Sequence, residues 1–200
     1  LTAPTLTEVT VIVTPGNSAT PSYVFNTDEV GTITSSLGFS TATNAFIGNN
    51  TITFNTLADG NYSGATLTIT DTAGNGTSLT LPDFFIDATL PIITITGEPL
   101  ISSEVGTAYT DQGATALDNI DGDITANIVT DGATEVDINT AGTYVITYNV
   151  NDAVGNAALQ VTRTLVVYAP DSVPPVIQLL GTATISSELG TVYTDAGATA

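Results

Sequence analysis

Residues 91–116 return 84 positions later as residues 175–200, and 16 of the 26 positions are identical without a gap. A period of this length sets the size of the folding unit before any element is assigned. It matches one small β-sandwich of the kind that builds extended arrays. The chain reaches Ala200 before a second copy is complete, so it reads as a window on a longer tandem array. The expected units are 1–89, 90–171 and the truncated start of a third at 172–200.

Within the units the hydrophobic pattern has a period of two, which is the period of a strand with one dry and one wet face. Alternation places Val9, Val11 and Val13 on one face. It buries Ile52 and Phe54, and sets Ala65, Leu67 and Ile69 against outward Thr66, Thr68 and Thr70. Tyr144, Ile146, Tyr148 and Val150 share a face, and Val161, Leu165 and Val167 mark the last strand before Tyr168. Threonine is β-branched and polar, which suits the wet face of a sheet. Turn signals such as Asp59-Gly60-Asn61, Gly74-Asn75-Gly76, Asp121-Gly122 and Gly155-Asn156 separate the runs. Two Pro-bearing linkers, 87–91 and 169–175, are expected to be short and semi-rigid. The expected fold class is all-β, with sandwiches in tandem.

Charge narrows the function. One basic residue, Arg163, stands against twenty acidic ones, a net of −19. Phosphate recognition needs Lys and Arg, so nucleic acid is excluded as a partner, and anionic membrane surfaces are disfavoured for the same reason. No apolar run approaches the ~18 residues of a membrane span, so no membrane insertion is expected. The chain has no Cys or His and no Lys, which removes thiol nucleophiles, triads, zinc sites and Schiff bases. Only a carboxylate pair flanking a cleft could catalyse, and narrow sandwiches offer no obvious cleft. The expectation is a protein that is not an enzyme. The chain begins with Leu and shows no signal peptide, so the targeting and anchoring segments are expected outside it.

Several runs carry a family resemblance. GTAYTDQGATALDNIDGDIT (106–125), AGTYVITYNVNDAVGN (141–156) and VTRTLVV (161–167) place residues 91–168 close to bacterial immunoglobulin-like surface repeats related to the hyalin-repeat group. TPSYVFNTDEVGTI (20–33), NNTITFNTLADGNYSGATLTITDTAGN (49–75) and FFIDATLP (84–91) resemble a second bacterial immunoglobulin-like repeat. The resemblance implies tandem immunoglobulin-like sandwiches and an extracellular, cell-surface location in adhesins and related proteins. It also implies that Phe39 and Ala65 stand where relatives of the first repeat carry a Cys pair. Tyr62 and Tyr144 stand where such a sandwich places its tyrosine-corner residue, with an aromatic sugar platform as the alternative.

The candidate chemistry is carboxylate chemistry. Asp118, Asn119, Asp121 and Asp123 follow an expected strand at 113–117 and precede one at 124–129; Asp152 and Asn156 lie in the F–G position. In an immunoglobulin sandwich both loops sit at the pole that receives the incoming linker, which carries Asp87. Asp87, Asp118, Asp121, Asp123 and Asp152 are therefore expected to converge. An oxygen-only set suits Ca²⁺. Asp28, Glu29, Asp71 and Asn75 form the matching set at the pole of the first unit, and Asp171 occupies the second linker. The alternative is ordinary turn chemistry, for which Asp, Asn and Gly are the default residues. EF-hand spacing is not met, since Ile120 stands at the third position. Arg163 is expected to pair with an acid such as Asp111 or Glu104. Asn49, Asn61 and Asn75 lie in sequons.

Three functions fit these readings. The first is a stalk or spacer of a bacterial surface adhesin, touching neighbouring immunoglobulin-like domains and stiffened by Ca²⁺. The second is a subunit of an extracellular filament or sheath, self-associating through the truncated third repeat. The third is a carbohydrate-binding accessory module with a glycan partner. The sequence names neither the distal ligand nor the number of repeats.

Overall fold

The computed structural model describes residues 2–41 and 43–200. Among them the chain is all β, with one short 3-10 turn at Thr125–Asn127. Most of its buried apolar residues fall into two clusters, one drawn from residues 12–86 and one from 93–150, and Leu165 and Val167 are buried as well.

The first sandwich runs β1 (Leu6–Thr10), β2 (Ser22–Thr27), β3 (Gly31–Ser35), β4 (Asn44–Ala45), β5 (Gly48–Thr53), β6 (Gly60–Tyr62), β7 (Thr66–Thr70), β8 (Gly76–Thr80) and β9 (Phe84–Ile86). One face is the sheet β1-β2-β5; the other is β4-β3-β7-β8; β6 and β9 form a separate short antiparallel pair. Tyr23, Phe25 and Ile52 from the first sheet, with Phe54 just past β5, cluster with Leu67 and Ile69 from the second, all fully buried. Each such side chain contributes about 1.5–3 kcal/mol of transfer free energy. Phe39 and Ala65, at the implied cysteine positions, both pack into this core. Tyr62 stacks on Phe84 with ring centroids 5.0 Å apart, and its hydroxyl donates to the Ala58 carbonyl at 2.9 Å.

One strand departs from the expected pattern. Val9, Val11 and Val13 are all exposed, Val13 to 75%. The register between β1 and β2 slips between Glu8 and Thr10, and β1 stops at Thr10. The inward position passes to Ile12, which is buried.

The second sandwich runs β10 (Ile92–Ile95), β11 (Leu100–Glu104), β12 (Ala114–Asp118), β13 (Gly122–Asp123), β14 (Val129–Asp131), β15 (Gly142–Asn149) and β16 (Val161–Tyr168). Its sheets are β10-β12-β13 and β11-β16-β15-β14, with β11 parallel to β16. The strand expected at 124–129 is absent. A tight β12–β13 hairpin takes its place, Ile124 turns into the core, and residues 125–127 form the 3-10 turn. The next strand begins at Val129. Tyr144 donates to the Thr140 carbonyl at 3.0 Å, matching Tyr62.

Between β10 and β11 the chain switches from one sheet to the other, which leaves carbonyls without ladder partners. Arg163, on β16 and 1% exposed, fills that gap. Its Nε donates to the Glu98 carbonyl at 3.1 Å, and Nη2 donates to Thr96 O and, at 3.4 Å, to Gly113 O. Nη1 pairs with Asp111, the acid of the two candidates that it meets, and donates to the Tyr148 hydroxyl at 3.2 Å. Burial alone would raise the Asp111 pKa. Hydrogen bonds from Tyr148, Arg163 and Tyr109 outweigh it, and hold the carboxyl below its ordinary range.

Residues 169–200 are exposed throughout. They carry one short pair, β17 (Gln178–Leu179) with β18 (Ala198–Thr199). Its register, Gln178 opposite Thr199 and Leu179 opposite Ala198, repeats that of Thr94 with Thr115 and Ile95 with Ala114. Tyr193 donates to Asp195 as Tyr109 does to Asp111.

Candidate metal centre at the joint between the sandwiches

The joint begins where β9 ends. The Asp87 amide donates to Gly16 O at 2.9 Å, so the backbone of the first sandwich holds this residue in place. The next two residues are held by Asp59, from the turn before β6. Its Oδ1 accepts from the Ala88 amide at 2.7 Å, and its Oδ2 accepts from the Thr89 hydroxyl. That same oxygen accepts from Asn119 Nδ2 of the second sandwich at 2.8 Å.

The second sandwich presents two loops. Asp118 ends β12, and its Oδ1 accepts from the amides of Ile120 (2.8 Å) and Asp121 (3.0 Å). Asp152 opens the β15–β16 connection. Its Oδ1 accepts from the amides of Val154, Gly155 and Asn156 at 3.0, 2.7 and 2.7 Å. Gly155 takes φ +95° here, a left-handed position that a side chain would strain. The turn presents Asn156 Nδ2 inward, where it donates to Asp152 Oδ2 at 2.6 Å and to Asp87 O, across the joint, at 2.8 Å.

These constraints bring Asp87, Asp118 and Asp152 together. One carboxylate oxygen from each lies within 4.8 Å of the others, and all three residues are buried. Asp87 is 1% exposed and Asp118 6%. Asp87 Oδ1 and Asp118 Oδ2 are buried without a hydrogen-bond partner. At an effective dielectric of about 20, two like charges this far apart repel by about 3 kcal/mol. Burial pushes the Asp87 carboxyl up to about pH 6, and the negative charges of Asp118, Asp152, Asp59 and Asp121 add to the shift. The chain's one basic side chain, Arg163, is committed to Asp111. The site therefore concentrates negative charge and open lone pairs, as cation sites do.

Not every expected residue joins the cluster. Asp121 is exposed and spends Oδ2 on the Ala153 amide at 2.7 Å, tying the two loops together. Asp123 is exposed and caps its own turn through the Thr125 amide. Asn119 and Asn156 serve as bridges across the joint. At the far pole of the first sandwich, Asp28 accepts from the Thr5 amide at 2.7 Å. Asp71 closes a local turn onto Ala73 and Asn75, as Asp152 does onto Val154 and Asn156. Glu29 donates its amide to Thr27 Oγ1. The metal-compatible cluster among the described residues is Asp87, Asp118 and Asp152, so this second set is not brought together as expected. Asp59 was hidden in the sequence, since Asp59-Gly60-Asn61 reads as an ordinary turn. The available signal was its position three residues before the corner tyrosine, Tyr62, which puts it at the end of the sandwich that meets the linker.

Among the described residues no helix is long and apolar enough to cross a membrane. A search of curated proteins finds no match. Among solved structures, a lipoprotein from Bacteroides thetaiotaomicron is 28% identical with a TM-score of 0.37, over 44% of this chain and 42% of that one. The fibronectin(III)-like modules of CbhA from Clostridium thermocellum are 13% identical with a TM-score of 0.33, over 82% and 95% of the two chains. A glucan-utilization protein of Bacteroides ovatus, SGBP-B, solved with a mixed-linkage heptasaccharide, is 12% identical with a TM-score of 0.21, over 92% and 51%. The chain thus spans less than half of the Bacteroides thetaiotaomicron lipoprotein. Residues 93–167, which build the second sandwich, match the family model for the Ig-like domain of bacterial surface proteins.

Proposed function

We propose that this chain is a structural spacer of a bacterial surface protein, a stalk segment that holds a distal binding module away from the cell. The observation that carries the reading is the hydrogen-bonded joint. Asp59 of the first sandwich holds both the linker and Asn119 of the second, while Asn156 of the second holds the carbonyl of Asp87. In an immunoglobulin sandwich the turn before the corner tyrosine and the B–C and F–G loops lie at opposite poles. A contact between the first kind in one unit and the second kind in the next stacks the units end to end. Bonds on both sides of a five-residue linker restrain bending and rotation, which would otherwise be free at such an interface. The surface match of residues 93–167 and the acidic composition agree with an extracellular setting. Division at 1–89, 90–171 and 172–200, with residues 175–200 opening a further sandwich, belongs to the same reading.

Small-angle scattering of the whole chain tests it. A monomer whose pair-distance distribution has the long tail of two sandwiches in line supports the spacer. A distribution that fits freely rotating units, or a folded-back pair, overturns it. Concentration-dependent polymers would point to the filament, and retention on immobilised polysaccharide to a glycan-binding module.

A further inference from the structure

We infer that Asp87, Asp118 and Asp152 form a binding site for one hard divalent cation, of the Ca²⁺ type, that ties the linker to both loops of the second sandwich. The cluster alone would not carry this, because acidic residues gather at many loop ends. The second observation is the pair of orphaned oxygens. Asp87 Oδ1 and Asp118 Oδ2 are, among the described residues, the two buried side-chain polar atoms left with no hydrogen-bond partner. Buried polar atoms are almost always satisfied, and an exception calls for a water, an ion or a functional reason. Here both exceptions belong to residues of the same carboxylate cluster, and a carboxylate oxygen left open is a lone pair available to a cation.

Dimensions and donor chemistry together favour calcium. Calcium sits about 2.3–2.6 Å from its oxygens, so two ligands on opposite sides of it are at most about 5 Å apart. The three oxygens lie within 4.8 Å of one another, inside that limit. Magnesium, at about 2.1 Å, demands a rigid octahedral shell and gives up its waters reluctantly, so an irregular set of loop carboxylates suits it less well. Zinc and copper prefer nitrogen or sulfur donors, and this chain has no His or Cys. Three carboxylates supply charge enough for a dication, and water or backbone carbonyls complete the shell. The loop hydrogen bonds to Asp118 Oδ1 and Asp152 Oδ1 fix the carboxylates in place, as the second shell of a metal site does.

The ligands come from three segments: the end of β9, the end of β12 and the β15–β16 turn. An ion bound there is shared by both sandwiches. Its mechanical role deepens the spacer reading, while its existence does not depend on it.

The test uses the whole chain after stripping with chelator. Calorimetric titration with CaCl₂ is expected to show saturable binding of one ion per chain, with MgCl₂ at least tenfold weaker, and thermal melting is expected to rise with Ca²⁺. Asp118→Asn is expected to weaken Ca²⁺ at least tenfold. With chelator present the same variant is expected to melt no lower than the wild type, because it removes one of three repelling charges. That opposite response to calcium and to chelator separates a ligand from a merely structural residue. Asp123→Asn, outside the cluster, is expected to bind as the wild type does. Absence of Ca²⁺ binding and of any melting shift in the wild-type chain overturns the site, and this result needs no variant to fold. Binding with unrestrained scattering leaves the site standing and defeats only the spacer.

Discussion

Replacing Arg163 with Met should cost the second sandwich about 3–5 kcal/mol, the usual loss when one partner of a buried ion pair is removed. Met keeps the length of the stem and the apolar packing, and removes only the guanidinium. Asp111, with 18% of its side chain exposed, can recover part of its solvation, which favours the lower end of the range. Glu98 O and Thr96 O lie at the sheet switch and lose their donor; both residues are exposed, so water replaces part of each bond and the cost stays below the about 1–3 kcal/mol of a fully buried group left unsatisfied. Gly113 O retains the Thr96 amide at 3.0 Å, so it adds little. For a domain of this size each kcal/mol lowers the melting temperature by about 4–8 °C. A drop of at least about 12 °C is therefore expected, and only in the second sandwich. Scanning calorimetry, with hydrogen exchange to assign each transition, reads this directly. The first sandwich has its own core and serves as the internal control. The double variant Arg163→Met/Asp111→Leu removes the stranded charge but not the stranded carbonyls, so it should recover only part of the loss. A single-variant drop below about 5 °C, or full recovery in the double variant, would refute the view that the guanidinium clips the sheet switch.

Other consequences are smaller. Asn156→Ala strands Asp87 O and Asp152 Oδ2, at about 1–3 kcal/mol, and should speed hydrogen exchange at the amides of Ala88 and Thr89 with little change in the cores. Tyr62→Phe keeps the stack on Phe84 and loses one hydrogen bond, so the first sandwich should lose about 1 kcal/mol in a urea titration. Acid should act on the second sandwich through Asp111. Its folded pKa lies below the ordinary value, so its contribution is complete above about pH 4 and is lost as pH falls further. Circular dichroism between pH 5 and 2 should show that loss in the wild type, and a flatter profile over the same range in Asp111→Asn.

Much of the architecture was legible because a strand's side chains alternate strictly. Ile52 and Phe54, Leu67 and Ile69, and Ile146 and Tyr148 could be assigned inward from spacing alone, and they are the core. The two misreadings have local causes that alternation cannot register. A register slip after Glu8 moved the inward position to Ile12. Asp121-Gly122 closed a tight hairpin and turned residues 125–127 out of the strand expected there.

At the joint, loop position alone brought Asp87, Asp118 and Asp152 to one pole, and short-range turn chemistry explains why Asp152 must close onto Asn156. The sequence by itself determined the sandwich class, the inward faces, the acidic pole and the pairing of Arg163 with an acid, because these follow from side-chain periodicity, turn preferences and charge counting. The tertiary structure alone decided which acids meet, that Asp59 takes part and that two oxygens are left without donors. Those outcomes depend on distances of a few ångströms between segments some thirty residues apart. Such distances emerge only when strand register and loop closure act together.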